Sequence, residues 1–365
     1  MFITNLDLKN FRNYEELHLS FDRGTNLFYG DNAQGKTNIL EAIYVCATTK
    51  SHRGSKDREI IRFDTEESHI RLRVEKKELP YVIDMHLKKN RPKGIAINGV
   101  PIRKASELFG TINVVCFSPE DLNLIKDGPA VRRRFIDLEL CQLNSLYVFS
   151  LINYNKALIQ KNRLLKEMNL HSDWQETLDI WDMQLERYGR EVIQFRRQFI
   201  QELNRIIDEI HYHLSGDKER IRIDYEENEV RFLRNEEIRQ RTTLSGPHRD
   251  DLAFYVDGID LRKYGSQGQQ RTAALSLKMA EIELVKKKTG DWPILLLDDV
   301  LSELDAQRQS HLLDTIRHVQ TVITCTGVED YLNSGIRVGK MMNVREGTVT
   351  ETKEETLTEE IYGRQ

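Results

Sequence analysis

Apolar and polar positions alternate through much of the first 125 residues, which is the spacing of β-strands. Residues 6–11 and 17–21 each carry apolar side chains at nearly every second position, as half-buried strands do. Asn98-Gly99 separates two short apolar segments and predicts a two-residue hairpin turn. The run Thr111–Phe117 predicts a buried strand that ends before Pro119, because proline cannot donate to a β-ladder. The N-terminal part of the chain is therefore predicted to be rich in strands.

From about Pro129 to Leu214 the apolar positions change to a helical spacing. Ser172-Asp173 with Glu176 form the polar signal of a helix N-terminus, and Gly216 marks an end. Between them apolar side chains recur at steps of three and four residues, at Leu178, Trp181, Leu185, Tyr188, Val192, Phe195, Phe199, Leu203, Ile206 and Ile210. One long helix is predicted, and its apolar stripe is expected to form the core of a helical lobe. The stretch is too short for the long coiled-coil arm of a cohesin-like machine.

Strand spacing returns at residues 221–225 and 252–256, and the run Pro293–Leu297 is wholly apolar. Such a run is typical of a central parallel strand, because helices cover both of its faces. We therefore predict an α/β fold with mixed sheets and an inserted, mostly helical lobe. The expected division is 1–125 and 217–350 for the two parts of the α/β domain, 126–216 for the lobe and 351–365 for an acidic flexible tail.

Composition is typical of a soluble protein, with 39% hydrophobic and 31% charged residues. No apolar run approaches the roughly 20 residues that span a bilayer. The N-terminus lacks the basic and then apolar layout of a signal peptide. The cysteines are scattered in apolar surroundings without metal-binding spacing, at positions Cys46, Cys116, Cys141 and Cys325. We expect reduced core thiols in a cytoplasmic protein without a membrane partner.

A net charge of −4 gives no overall attraction to nucleic acid, so DNA binding would need local basic patches. At each patch an ordinary solvated turn or helix face is the alternative interpretation. The candidate DNA-binding residues are Arg53, Lys56, Lys88, Lys89, Arg91, Arg132 and Arg133.

A phosphate-binding loop of the pattern G-x-x-x-x-G-K-[ST] stands near the N-terminus. It comprises Gly30, Asp31, Asn32, Ala33, Gln34, Gly35, Lys36 and Thr37. Residues 26–29 before it read as a short buried strand, and residues 38–44 after it read as the start of an amphipathic helix. Glycines let the backbone N–H groups of such a loop surround a phosphate. Lys36 is then expected to reach the terminal phosphates, and the Thr37 hydroxyl to complete the shell of a Mg²⁺ ion.

Two carboxylates end the apolar run 293–297, at Asp298 and Asp299. The carboxyl edge of a parallel sheet is where ligands bind in open α/β folds. Asp298 is therefore predicted to hold Mg²⁺ beside the loop, and Asp299 to polarise an attacking water. The alternative is an ordinary strand end capped by acids.

The third motif is a glycine-bearing polar turn, Gly265–Arg271, which opens a helix that runs through residues 272–277. Helix N-termini bind anions, and one fold needs one such end for each triphosphate. A second end is explained if it contacts the γ-phosphate of a nucleotide bound to a neighbouring subunit. The residues of this signature turn are Ser266, Gln267, Gly268 and Gln269.

In this order, the three motifs resemble the ABC-type ATPase head of SMC-like DNA repair proteins, and more closely the RecF family. Further matching motifs are Asn10–Tyr14, Phe117–Leu122, Pro129 with Arg132–Asp137, Ser245–Asp251 and Ser302–Asp305. The match runs from Met1 to about Thr326.

The resemblance implies that two heads close face to face on ATP, each nucleotide lying between one copy's loop and the signature turn of the other. It places Arg12 near the phosphates and Glu120 where ABC ATPases have a switch-loop glutamine. It also implies binding to double-stranded DNA near gaps and at junctions of single and double strands. There the protein would act with RecR and RecO to load RecA at stalled forks.

Three departures from general ABC heads lead us to expect slow ATP hydrolysis. Asp299 replaces a longer catalytic glutamate, Thr324 or Thr326 replaces a switch histidine, and Gln267 replaces a signature glycine. Errors near 1 Å in positioning can cost about a hundredfold in rate. ATP is thus expected to act mainly as a timed clamp, and DNA is expected to stimulate the weak ATPase.

The alternatives are a small-molecule GTPase or kinase, a structural SMC-like clamp with negligible turnover, and a transporter ATPase subunit. The first would need an Asn-Lys-x-Asp motif or an arginine-rich lid, and the second a long coiled-coil insertion; neither feature is found in the sequence. A transporter subunit would need a membrane partner. His248 could belong to an acid/base or metal cluster, but its resemblance-based position favours a scaffolding hydrogen-bond network.

Overall fold

The computed structural model describes residues 1–168, 173–301, 304–327 and 338–352. The chain divides into two compact units, Met1–Asp121 with Glu281–Gln365, and Leu122–Ala280. The strands are β1 (Phe2–Phe11), β2 (Tyr14–Ser20), β3 (Thr25–Tyr29), β4 (Glu67–Lys76), β5 (Leu79–Lys88), β6 (Arg91–Ile97), β7 (Val100–Pro101), β8 (Val114–Phe117), β9 (Ile221–Glu226), β10 (Asp251–Val256), β11 (Ile259–Asp260), β12 (Ile294–Asp298), β13 (Thr321–Cys325), β14 (Val338–Arg345) and β15 (Thr348–Thr352). The helices are α1 (Lys36–Thr48), α2 (Asp57–Ile60), α3 (Asn123–Lys126), α4 (Pro129–Leu143), α5 (Ser145–Glu167), α6 (Trp174–Leu214), α7 (Arg234–Gln240), α8 (Leu261–Tyr264), α9 (Gln267–Thr289) and α10 (Ala306–Ile316).

The first unit contains an antiparallel sheet of order β2-β1-β4-β5-β6-β7. Strand β4 shows why the alternating pattern predicts it: Ile70, Leu72 and Val74 are buried and the positions between them are not. Asn98-Gly99 forms the turn between β6 and β7 with φ of 51° and 77°, which confirms the predicted hairpin. Strand β8 begins later than predicted, because Ile112 pairs with Phe109 in an isolated bridge.

A second, mixed sheet in the same unit has the order β15-β14-β3-β13-β12-β8. All neighbours pair in parallel except β14 and β15. Asp298 of β12 is paired with Thr324 of β13, and Thr324 is paired with Phe28 of β3. Because the strands are parallel and in this register, the segments that follow β3, β12 and β13 leave the sheet at one edge. The apolar run before Asp298 forms β12, which lies between β13 and β8 and is therefore an interior parallel strand, as predicted.

The predicted acidic tail was expected to begin at residue 351, but Glu351 and Thr352 belong to strand β15. They pair with Met342 and Met341, and the Tyr29 hydroxyl lies 2.7 Å from Thr352 Oγ1. The predicted tail at 353–365, the first two residues of the motif Ser302–Asp305 and the N-cap candidate Ser172 lie outside the described residues.

The second unit contains the predicted long helix, α6, which begins at Trp174 and ends at Leu214. Leu178, Leu185, Val192 and Phe199 lie buried at a spacing of seven residues, as the apolar stripe predicts. Polar side chains also lie on the buried face, namely Asp182, Arg196 and His211. The unit continues past the predicted lobe boundary at 216, because α6 packs on β9 and α4 on β10 of the sheet β11-β10-β9.

Cys46, Cys141 and Cys325 are buried and Cys116 is partly buried. Within the part of the chain that the structure describes, no helix is both long enough and apolar enough to traverse a bilayer.

Candidate functional site

The loop between β3 and α1 requires glycine at both ends. Gly30 has φ of 145° and Gly35 has φ of 116°, values that residues with a side chain rarely adopt. A Cβ atom on Gly30 would lie 2.3 Å from the Val344 carbonyl oxygen, and one on Gly35 would lie 2.5 Å from Asn13 Nδ2. Two constraints therefore explain both glycines of the motif: the backbone conformation, and the lack of space for a Cβ atom.

Hydrogen bonds from two neighbouring segments hold this loop in place. Asn13 Nδ2 donates to the Gln34 carbonyl at 2.8 Å, and the Tyr14 hydroxyl donates to the Gly35 carbonyl at 3.0 Å. The backbone N–H of Glu346, in the turn between β14 and β15, donates to Gln34 Oε1 at 2.6 Å. The motif Asn10–Tyr14 therefore has a structural role: its side chains at Asn13 and Tyr14 hydrogen-bond the backbone of the loop.

Lys36, the first residue of α1, directs its ammonium group back into the loop. Its Nζ donates to the carbonyl oxygens of Gly30 at 2.6 Å and Asp31 at 2.7 Å. The side chain is buried, and burial lowers the pKa of Lys36. The cation is thus placed inside the ring of backbone that a phosphate would enter.

Thr37 and Asp298, which are 261 positions apart in the chain, are in direct contact. Thr37 Oγ1 donates to Asp298 Oδ1 at 2.8 Å, and Thr324 Oγ1 donates to the same oxygen at 2.7 Å. A hydroxyl and a carboxylate side by side are the oxygen donors that Mg²⁺ prefers. The residues present therefore fit the ion that the sequence motifs imply.

Asp299 follows β12 in a left-handed conformation, with φ of 53°. Its backbone N–H donates to the carbonyl oxygen of Thr324 at 3.1 Å and to Thr324 Oγ1 at 3.2 Å. The backbone of Asp299 is thus anchored on the neighbouring strand β13.

A cavity of about 310 Å³ lies over the loop. The remaining residues that line it, beyond the loop and Asn38, are Arg53, Asp298, Asp299, Thr324 and Thr326. Arg53 was predicted as a DNA-binding candidate, but the structure places it at the phosphate cavity. Sequence reasoning missed this because Arg53 follows α1 in a segment with no motif of its own.

Arg12 was predicted to lie near the phosphates, and in the structure its guanidinium is bound to protein acceptors. Nε and NH2 donate to the two carboxylate oxygens of buried Glu41 at 2.7 and 2.6 Å, and NH1 donates to the Glu59 carbonyl at 2.9 Å. Burial alone would raise the pKa of Glu41, but hydrogen bonds from Arg12 and Ser51 bring it below its usual value. Arg12 therefore ties α1 to the segment containing α2.

The signature turn, in the second unit, opens helix α9. The backbone N–H of Ser266 donates to Gln269 Oε1 at 3.0 Å, and the backbone N–H of Gln269 donates to Ser266 Oγ at 3.2 Å. This reciprocal pair is a capping box, which explains why the helix begins at Gln267. Ser266, Gln267 and Gly268 are exposed, so the turn is presented on the surface of its unit.

The basic residues predicted to bind DNA differ in their availability. Arg132 is 1% exposed and makes a bidentate ion pair with Asp251, so it is removed from the candidates as a structural residue. Arg133 is partly buried and donates to the Asp250 carbonyl. Lys88 and Lys89 lie 3.1 Å from Glu67 and 3.3 Å from Glu66 respectively, which reduces their local positive field. Lys56 and Arg91 are exposed.

A buried ionic network in the second unit was not predicted. Arg196 of α6 donates to Asp250 Oδ2 at 2.6 Å, to Asp137 Oδ1 at 2.6 Å and to the Pro247 carbonyl at 2.7 Å. The hydroxyl of Tyr147 lies 3.1 Å from Arg196 Nε. This network joins α4, α5 and α6 to the turn before β10, and so accounts for two motifs that carried the family resemblance.

His248, in that turn, has protein partners at both ring nitrogens. Nδ1 lies 2.6 Å from the Tyr154 hydroxyl and Nε2 lies 3.4 Å from the Thr243 carbonyl. Burial lowers the pKa of His248 to about 4, so the ring is neutral at physiological pH. This hydrogen bonding agrees with the predicted scaffolding role.

A phosphate-binding loop, a signature turn and two aspartates at the end of a central parallel strand define a nucleotide-binding head of the ABC type. The chain belongs to the RecF/RecN/SMC N-terminal domain family, whose model matches residues 2–350. The predicted fold class and the resemblance to the RecF family are thereby confirmed.

Curated relatives cover nearly the whole chain. A protein of Lachnoclostridium phytofermentans named DNA replication and repair protein RecF is 56% identical over 357 residues, covering 96% of this chain and 99% of the relative. A protein of the same name from Agathobacter rectalis is 57% identical with the same coverage.

Solved structures agree with this assignment. A structure of the recombination mediator protein RecF with ATP has a TM-score of 0.89 and 34% identity, covering 96% of this chain and 98% of that one. An SMC head bound to the C-terminal winged-helix domain of ScpA has a TM-score of 0.57 at 16% identity, covering 98% of this chain and all of that chain (100%), so the likeness shows only the fold.

Proposed function

We propose that this protein is an ATP-dependent DNA-binding protein of recombinational repair and replication-fork restart. The observation that carries the proposal is the contact between Thr37 and Asp298, 2.8 Å long, beside a loop built for a phosphate. The full-length relatives named DNA replication and repair protein RecF support the cellular role. The RecF structure with ATP supports that nucleotide as the ligand.

Within one copy, the loop and Lys36 bind and orient the triphosphate. Thr37 and Asp298 would hold Mg²⁺, which neutralises phosphate charge when bound. Asp299 lines the same cavity and orients the attacking water. Its carboxylate is short, so this orientation is imperfect and hydrolysis is slow.

A second copy completes the site in our proposal. The exposed Ser266, Gln267 and Gly268 at the start of α9 have the character of an anion-binding helix N-terminus. In the dimer these residues contact the γ-phosphate of the ATP bound to the other copy. ATP binding therefore drives formation of the homodimer. Hydrolysis then removes the shared phosphate and separates the copies.

The closed dimer binds double-stranded DNA and strand junctions, because pairing two heads doubles the exposed basic groups that face the phosphate backbone. DNA stimulates the ATPase by stabilising this closed form. Cooperation with RecR and RecO in loading RecA is proposed because the related RecF structures are described as part of the RecFOR pathway.

The proposal is tested by measuring mass in solution with and without ATP and Mg²⁺, and again with duplex DNA. A dimer should form only when ATP is present, and the affinity for DNA should rise when the dimer forms. A monomer at saturating ATP would contradict the shared site. A permanent dimer with no measurable turnover would instead favour a structural SMC-like clamp.

Replacing Asp299 by asparagine should slow ATP hydrolysis by about a hundredfold and prolong the lifetime of the ATP-bound dimer. The amide keeps the shape but loses the basic oxygen that orients water. Turnover and dimer dissociation are measured on the same sample, with Asp314→Asn as a control at an exposed helix carboxylate. The clamp mechanism is wrong if Asp299→Asn dimers separate as fast as those of the parent protein.

Replacing Arg53 by alanine should weaken ATP binding by about tenfold, because the side chain lines the phosphate cavity. Arg58→Ala is a matched control at an exposed arginine of the same segment. ATP affinity is measured by titration with a fluorescent analogue. If Arg53→Ala instead binds ATP normally and loses affinity for DNA, its original assignment to DNA is correct.

A further inference from the structure

The side-chain amide of Gln269 connects the signature turn to an acidic residue outside it. Its Oε1 accepts the backbone N–H of Ser266 at 3.0 Å, and its Nε2 donates to Glu219 Oε1 at 2.9 Å. Both ends of the amide are therefore in use, so its orientation depends on Glu219. Glu219 lies between α6 and β9, far from the turn in sequence.

Glu219 is itself held in place. Its backbone N–H donates to Ser215 Oγ at 3.0 Å, and its second carboxylate oxygen lies 3.7 Å from Nε2 of His211. His211 is fully buried on α6 and packs against α9, where its Nδ1 lies 2.9 Å from Ser276 Oγ. The carboxylate is thus positioned by α6 on one side and directed at Gln269 on the other.

The directions of the hydrogen bonds explain why the Glu219 carboxylate accepts from Gln269 and not from His211. Ser276 Oγ donates to the Thr272 carbonyl at 2.7 Å, so it accepts a hydrogen bond from the Nδ1–H group of His211. Burial lowers the pKa of His211, which favours the neutral ring. With its proton on Nδ1, the neutral ring has no proton on Nε2. Nε2 of His211 and the Glu219 carboxylate are then both acceptors, 3.7 Å apart, whereas the Gln269 amide donates to Glu219 at 2.9 Å.

We propose that Glu219 is a positioning residue for the signature turn. By fixing the Gln269 side chain it fixes the Ser266 backbone, and so holds the turn in the geometry that meets the triphosphate of a second copy. A turn ordered in advance loses less entropy on association. This inference rests on the proposed function, in which the turn contacts ATP in trans.

The test compares four variants with the parent protein: Glu219→Ala, Glu219→Gln, Gln269→Ala and the double variant Glu219→Ala with Gln269→Ala. Glu227→Ala is the matched control, since Glu227 is 31% exposed against 27% for Glu219, and it pairs with Arg197 instead of the turn. ATP-dependent dimerisation is measured by sedimentation velocity with ATP and Mg²⁺. ATP affinity of dilute monomer and the melting temperature are measured separately.

Glu219→Ala should weaken dimerisation by about tenfold, with monomer ATP affinity unchanged. The double variant should dimerise no more weakly than Gln269→Ala, because Gln269→Ala already removes the amide through which Glu219 acts. Glu219→Gln should retain dimerisation, since its amide oxygen accepts from Gln269 and its NH₂ group donates to Nε2 of His211. Rescue by glutamine separates positioning from a simple requirement for negative charge.

Three results would overturn the inference: additive losses in the double variant, a Glu219→Ala protein that matches Glu227→Ala, or a Glu219→Ala protein that loses ATP affinity as a monomer. If the parent protein fails to dimerise with ATP, the proposed function fails instead. Ser266→Arg, which obstructs the turn directly, should abolish dimerisation, and a dimer that survives this change would count against the shared site and not against Glu219 alone.

Discussion

Alanine in place of Lys36 should reduce ATP turnover by about a hundredfold or more, because a buried cation aimed at the phosphates is lost from a preorganised site. In the structure its Nζ donates to two loop carbonyls within 2.7 Å, so the ammonium group is already held inside the loop. Lys36→Arg should also be inactive, since a planar guanidinium does not fit where a compact ammonium binds. Turnover is measured by release of inorganic phosphate.

The control for this prediction is Lys50→Ala, at an exposed lysine just after α1. Melting temperatures of both variants without nucleotide show whether the loop still folds. A Lys36→Ala protein that hydrolyses ATP at a tenth of the parent rate or faster would show that the loop is not the catalytic phosphate site.

Methionine in place of Arg196 should lower the free energy of unfolding by about 3–5 kcal/mol, the usual cost of removing one partner from a buried ion pair. The side chain of Arg196 is 2% exposed, and its loss leaves the carboxylates of Asp137 and Asp250 without their shared cation. Burial already raises the pKa of Asp250, so an unpaired carboxylate there is costly. Urea unfolding followed by circular dichroism measures the effect.

The neighbouring Arg197 provides a matched control, because it is 49% exposed and pairs with Glu227 at the surface. Arg197→Met should change stability by about 0.5 kcal/mol or less. Equal effects of the two substitutions would mean that the buried network does not stabilise the second unit.

The phosphate-binding loop and its flanking elements could be predicted from the sequence because they are consecutive. Strand β3 ends at Tyr29, and α1 begins at Lys36, as the motif and its apolar neighbours predict. The approach of Thr37 to Asp298 could also be predicted, although 261 positions separate them. Parallel strands bring their carboxyl ends to one edge, so two motifs at strand ends are expected to meet there.

The sequence did not predict which charged side chains are buried and which line the cavity. The run Arg132–Arg134 has the composition of a surface patch, yet Arg132 is buried by an ion pair with Asp251, 119 positions later. Arg53 carries no local signal for the phosphate cavity that it lines. The apolar stripe of α6 predicts a helix and its buried face, but not that Asp182, Arg196 and His211 share that face.

The amino-acid sequence by itself determined the nucleotide-binding loop, the central strand with its two aspartates, the long helix and the family resemblance. These depend on the spacing of neighbouring residues, which sets local conformation directly. Only the tertiary structure decided which charges are buried, which acid holds the signature turn and where Arg12 and Arg53 lie. A buried charge needs partners, and for Arg12, Arg132 and Arg196 a distant segment supplies the counter-charge. That pairing is a property of the folded chain.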